Sequence, residues 1–198
     1  MFLNKNKNMK IITNFKTILL FSFIISALSC EAQIIPLNTG ILSIPENAYV
    51  KDSNNELMPY IGTYKANFQG KEITLFINKE EKRIVKRIDK QFYRDALVVK
   101  YIVKNATGTI LQDTQNNNSQ GIYLISSNMK SGNTVRLIYS GTNCGVGWGD
   151  IFLKKINSTQ ISWEYRPDDI IIDSSKCPSG TDINIYLPET KDLIFTKQ

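Results

Sequence analysis

Three cysteines, Cys30, Cys144 and Cys177, and a complete lack of histidine bound the chemistry open to this 198-residue chain. Without imidazole it has no His general base, no Ser-His or Cys-His nucleophile pair and no His-ligated zinc. Asp150 and Asp168-Asp169 carry the charge a calcium site needs, but no D-x-D-x-D-G loop surrounds them. Paired carboxylates can hydrolyse a glycoside, yet nothing in the spacing places any two together. The glycine-rich run Gly141 to Gly149 (GTNCGVGWG) departs from G-x-G-x-x-G, and a strand pattern follows it instead of a helix. It reads as a bend with a bulge, fixed by a disulfide, with a ligand loop as the alternative. Trp148, Trp163, Tyr64 and Tyr101 could line a cavity inside a barrel, although aromatic residues on alternating positions more often form plain core. The chain is therefore expected not to be an enzyme: no catalytic residue, metal site or cofactor is read, and ligand-binding residues stay unassigned.

The three thiols have different expected fates. Lys5, Lys7, Lys10 and Lys16 precede an apolar run from Ile18 to Leu28, and no acidic residue occurs before Glu31. A basic start, a short apolar stretch and small residues before a cut form a secretory signal. The run is too short for a bilayer, which needs roughly 20 apolar residues. Met9-Lys10 begins a more compact signal of its own, so translation starts at Met1 or Met9. Ala27-Leu28-Ser29-Cys30 resembles the lipobox of bacterial lipoproteins, which implies cleavage after residue 29 and lipidation of Cys30. The alternative is an ordinary signal peptide followed by an incidental cysteine. One acyl chain holds a protein only marginally, at ~0.8 kcal/mol per buried methylene, so a stable anchor needs several chains on that residue. Cys144 and Cys177 then remain. Two cysteines cannot complete a structural zinc site, and in an oxidising compartment they read as a disulfide. They lie in GTNCGVGWG and SSKCPSG, on either side of an Asp150–Arg166 hairpin pattern whose antiparallel strands return the chain to its starting edge.

Charge narrows the partners. The formal charge is +6, but four of the 24 basic residues lie in the signal, leaving 20 against 18 acidic ones. The remaining +2 is poor support for nucleic-acid binding. Lys79 to Lys90 (KEEKRIVKRIDK) is the densest basic stretch and also carries Glu80, Glu81 and Asp89, the mixture of a solvated face.

What must position these residues is a single domain of about 170 residues, long enough for a real core. Residues 1–29 are read as the signal, 30–48 as a lipidated tether with some part pressed on the domain, and 49–198 as the folded unit. Asp52 to Met58 suits a short helical turn capped by Asp52 or Ser53 and ended before Pro59. Period-two alternation follows at Thr63–Phe68, Ile73–Ile77, Leu97–Val103, Gly121–Ser126, Thr134–Ser140, Asp150–Ile156, Gln160–Arg166, Ile183–Leu187 and Asp192–Thr196. Arg83–Phe92 fits helical spacing and a strand equally, and Gln112–Gln120 reads as a loop. The expected fold is all-β: a lipocalin-like antiparallel barrel of about nine or ten strands, with a β-sandwich as the alternative.

Two resemblances bear on this. Glu46-Asn47-Ala48-Tyr49-Val50-Lys51-Asp52, Asn55-Glu56-Leu57 and Tyr60-Ile61-Gly62-Thr63-Tyr64 resemble an uncharacterised family of short secreted Gram-negative proteins, domain of unknown function 6705. The likeness continues through Tyr93-Arg94-Asp95, Cys144-Gly145 and the end of the chain, Leu187-Pro188 and Leu193 to Lys197. It implies secretion and brings no activity. Gly62-Thr63-Tyr64 is similar to the G-x-W motif that opens the first strand of lipocalin-like barrels after a short helical turn, with Tyr64 where tryptophan is usual. Together these readings lead to an expected membrane-anchored envelope or surface lipoprotein on the outer membrane, facing the periplasm or the exterior. Its expected role is to bind a small apolar molecule or an envelope component; the alternative is a structural or protein-interaction module without a cavity.

Overall fold

Alternating apolar side chains need a surface to face, and here they face one another around a closed sheet. The computed structural model describes residues 33–116, 121–173, 175 and 177–198. The expected signal peptide, 1–29, and the expected lipidation site Cys30 lie outside the described residues. Eleven strands occur among the described residues: β1 (Ile34–Pro36), β2 (Tyr49–Lys51), β3 (Gly62–Phe68), β4 (Lys71–Lys86), β5 (Gln91–Lys104), β6 (Ile110–Asp113), β7 (Leu124–Lys130), β8 (Thr134–Tyr139), β9 (Gly149–Lys155), β10 (Gln160–Pro167) and β11 (Thr190–Lys197).

Eight of them close into an antiparallel up-and-down barrel in the order β3-β4-β5-β7-β8-β9-β10-β11, with β11 returning to β3. Closure abolishes the open edges that a sandwich would keep, so the sandwich alternative is overturned. The count of nine or ten strands is also corrected, to eight in the barrel and three outside it. The two closing seams are short. β11 meets β3 through Thr196↔Lys65 and Lys197↔Tyr64, and β5 meets β7 only at Val98↔Ile125.

The segment 83–92 resolves as the end of β4, a turn, and the start of β5, so the strand reading holds there. Ile183–Leu187, expected as a strand, has no ladder partner. It instead lays Leu187 onto the core. Gln112 and Asp113 belong to β6, not to a loop, and pair with Val103 and Ile102. The helical turn expected over 52–58 is displaced to a 3-10 turn at Met58–Tyr60 that contains Pro59. Asp52 does cap the turn before it, accepting Glu56 N at 2.6 Å and Leu57 N at 3.3 Å.

From Ile34 onward, the segment read as a tether with a part against the domain belongs to the folded unit. β1 pairs in parallel with β2, and β2 in parallel with β5. Leu37, Ile44 and Ala48 are buried with the core.

Candidate functional site

The barrel interior is the first place to look for a ligand. An eight-stranded barrel is just wide enough for its own side chains to fill or for one small molecule. Here, Tyr64, Tyr101, Tyr139, Trp163, Tyr165 and Phe195 are fully buried. Four of them form a column of edge contacts, with centroid separations of 6.3 Å for Tyr101–Tyr139, 5.8 Å for Tyr139–Tyr165 and 6.4 Å for Trp163–Tyr165. Phe195 extends it, 5.5 Å from Trp163.

Their polar atoms are satisfied from within the fold. Tyr101 and Tyr139 share a 3.0 Å hydroxyl contact, and Tyr101 donates to Gln112 Oε1 at 2.9 Å. Trp163 Nε1 donates to Pro188 O at 2.9 Å, and the Tyr165 hydroxyl donates to Gly147 O. Burial raises every one of these phenols: Tyr139 to about 12, Tyr101 and Tyr165 further. They are neutral core groups at physiological pH. Of the four aromatic residues considered as cavity lining, Tyr64, Tyr101 and Trp163 are core, while Trp148 is half-exposed and donates to Asp169 O at 3.2 Å.

Cys144 and Cys177 are joined, with their Cα atoms 5.5 Å apart. The β9–β10 hairpin between them runs from Gly149↔Pro167 to Lys155↔Ile161 and returns the chain as antiparallel pairing requires. The glycine-rich run is the bend: a 3-10 turn at Asn143–Gly145, then Gly147 at φ +71, where an added Cβ would lie 2.7 Å from Ile185 Cδ1 and 2.9 Å from the Tyr165 hydroxyl. It packs against Ile185 and Tyr165. Asp150 pairs with Arg136 at 2.8 Å.

A polar network fixes β2 and the bulge in β4. Asp95 Oδ1 accepts Tyr49 Oη at 2.5 Å and Lys82 N at 2.9 Å, while Oδ2 accepts Asp52 N at 3.0 Å. Lys79 Nζ lies 3.0 Å from Asp52 Oδ2 and 4.0 Å from Asp95 Oδ2. Burial alone would raise Asp95, but these donors outweigh it and hold its carboxyl below the usual range. The same contact works on Tyr49 from the other side: burial first, then Asp95, push its phenol well up.

Its sequence neighbour Arg94 points to the opposite face of β5, as alternation requires. That face leads out of the barrel into a groove of about 360 Å³ beside the β5–β7 seam. Phe92, Ala96, Ile125 and Ile138 give the groove an apolar lining; Arg83, Lys86 and Arg87 add positive charge, and none of the lining side chains is acidic. Arg94 is 4% exposed, and its Nε and Nη1 have no hydrogen-bond partner among the described residues. Its guanidinium stacks 5.9 Å from the Phe92 ring centroid. Burial draws its pKa down to about 10, which leaves it charged at neutral pH. A second depression, of about 490 Å³, lies near the 3-10 turn and the β7–β8 loop; Asn38, Asn55, Tyr60 and Asn133 contribute to a more polar lining there.

Comparison with protein-family models, curated proteins and solved structures finds no match for this chain. Geometry alone therefore singles out the seam. In the sequence Arg94 stood only within the run Tyr93-Arg94-Asp95; the signal that could have found it is a charge in strand phase with Phe92, Ala96 and Val98.

Proposed function

We propose that the chain is an exported lipoprotein, held on the membrane by acyl chains on Cys30, whose barrel is a filled lipocalin-like scaffold that binds on its outer face. The observation that carries this is the contrast at β5: one face enters a packed aromatic interior, while the other lines an open, apolar, cationic groove. The 3-10 turn leading into Gly62-Thr63-Tyr64 supports the lipocalin-like comparison. The Cys144–Cys177 disulfide supports an oxidising, exported compartment. Among the described residues, no helix is long and apolar enough to cross a membrane.

The groove volume falls within the range of small-molecule sites, which favours a small apolar molecule over an extended protein interface. A second reading, a structural or interaction module without a ligand, is favoured by the packed interior. Native mass spectrometry of protein purified from its own host tests the two. A co-purifying molecule that is lost in Ala96→Phe, which fills the groove, supports binding there. An adduct-free protein from the host favours the interaction module. Cys30→Ser tests the anchor: membrane partitioning should be lost, and an N-terminal peptide without acyl mass in the wild type would overturn it.

A further inference from the structure

We infer that the seam groove takes the anionic head of an acyl-chain amphiphile, with Arg94 as counter-ion to the head and the apolar lining as the bed for the chain. This rests on reading the groove as the binding surface, and it adds the ligand's chemistry.

Three observations converge on it. First, Arg94 Nε and Nη1 are the only buried side-chain polar atoms without a partner among the described residues. Every other such group, including the whole aromatic column, is satisfied. A buried donor left unpaired keeps its full desolvation cost, and a charged one more so, so this one is conspicuous. Second, the carboxylate nearest in sequence is unavailable. Asp95 sits on the opposite face and is engaged by Tyr49, Asp52 N and Lys82 N. The groove contributes no acid, and of its flanking cations, Arg83 is paired with Glu80 outside the lining. An anion must come from elsewhere, and a guanidinium matches a carboxylate or phosphate edge with two parallel hydrogen bonds.

Third, the surroundings select an acyl chain over a peptide strand. At the seam, the Leu97 N–H that could recruit an added strand is already taken by Ser126 Oγ at 2.8 Å. What remains is apolar: Phe92, Ala96, Ile125 and Ile138, with half-exposed Ile84 and Tyr123 at the opening. A ligand with one charged end and a flexible apolar body satisfies both halves of the site.

The source of the amphiphile, a free fatty acid or a membrane phospholipid, is separated by the probes. The lipidated full chain, in detergent micelles, is titrated by native mass spectrometry with hexadecanoate, with hexadecanol and with a phosphatidylglycerol. Wild type should bind hexadecanoate or phosphatidylglycerol, whichever is the natural class, at least roughly tenfold more tightly than hexadecanol, as charge-assisted hydrogen bonds imply. Arg94→Met should abolish that preference, and Arg94→Lys should restore part of it. Because Arg94→Met removes an unpaired buried charge, its thermal midpoint should equal or exceed that of wild type. A midpoint lowered by many degrees would show that Arg94 is structurally paired and would overturn the inference. Equal binding of hexadecanol and both anions, unaffected by Arg94→Met, would keep the groove as a binding surface but remove the anion from it. No binding of any probe would overturn the groove reading itself.

Discussion

Inside the barrel, each tyrosine and tryptophan of the aromatic column ends in a hydrogen bond. At the seam, two nitrogens of one guanidinium end in none. Both regions are buried and both use β5, whose inward face carries Leu97, Val99 and Tyr101 while its outward face carries Phe92, Arg94 and Ala96. The interior is complete by itself, because neighbouring strands and loops bring an acceptor to every donor. The seam is not, because β5 exchanges neighbours along a single edge. It pairs with β2 at Tyr93 and Arg94, with β7 at Val98, and with β6 from Ile102. Wherever the neighbour changes, the sheet cannot supply a continuous wall. A groove opens there, and a side chain in it lacks company. Packing is thus self-sufficient where pairing is continuous and incomplete where it is interrupted.

If the interior holds the stability, Trp163→Ala should be the most damaging of the changes considered, at about 3–5 kcal/mol, read as a loss of thermal midpoint and of near-ultraviolet dichroism. A cost below about 1 kcal/mol would break the contrast by showing that the interior is loosely packed. Reduction of Cys144–Cys177 comes next. Its 33-residue separation gives a chain-entropy estimate of about 3.7 kcal/mol. The midpoint should fall clearly while the sheet persists in circular dichroism, because the aromatic column does not depend on the bridge.

Asp95→Asn sharpens the comparison from the other face of β5, one residue from Arg94. It weakens the hydrogen bonds that hold β2 and the β4 bulge, at a cost of about 2 kcal/mol. The pH profile identifies it. The Asp95 carboxyl lies below its unfolded value of 3.8, so its contribution is fully present above that pH and is lost as pH falls through the lower, folded value. Wild type should lose stability below about pH 4 in urea titrations, and the variant should show a flatter acid limb. Equal acid limbs would remove Asp95 from the account. The smallest effect belongs to Ile88→Ser, in the fully exposed turn between β4 and β5, which should stay within about 0.5 kcal/mol of wild type. A larger loss would mean that the turn is covered in solution.

Much of the barrel was legible because alternation is a local property. Tyr64 and Ala66, Leu75 and Ile77, and Trp163 and Tyr165 announce a buried face before any partner is known. Ile183, Ile185 and Leu187 carry the same signal and form no strand. Alternation reports a face to bury, not an edge to pair with, and here Leu187 is buried without a ladder partner. β1 and β2 are too short to show a period, and the parallel register of β2 with β5 is supported by contacts 43 to 46 residues apart, such as Asp52 N and Tyr49 Oη on Asp95.

By itself, the sequence determined the all-β class and the pairing of Cys144 with Cys177, and it carries the expectation of a signal that ends before Cys30. Each of these depends on residue type, on local period or on elimination among three cysteines. Only the tertiary structure decided that the sheet closes, that its interior holds a hydrogen-bonded aromatic column, and that Arg94 is left without a partner beside an open groove. Those properties depend on which strand lies next to which. In an antiparallel barrel, one seam joins the first strand to the last, and the other, at β5, is divided among three neighbours. No local window of the chain contains that information.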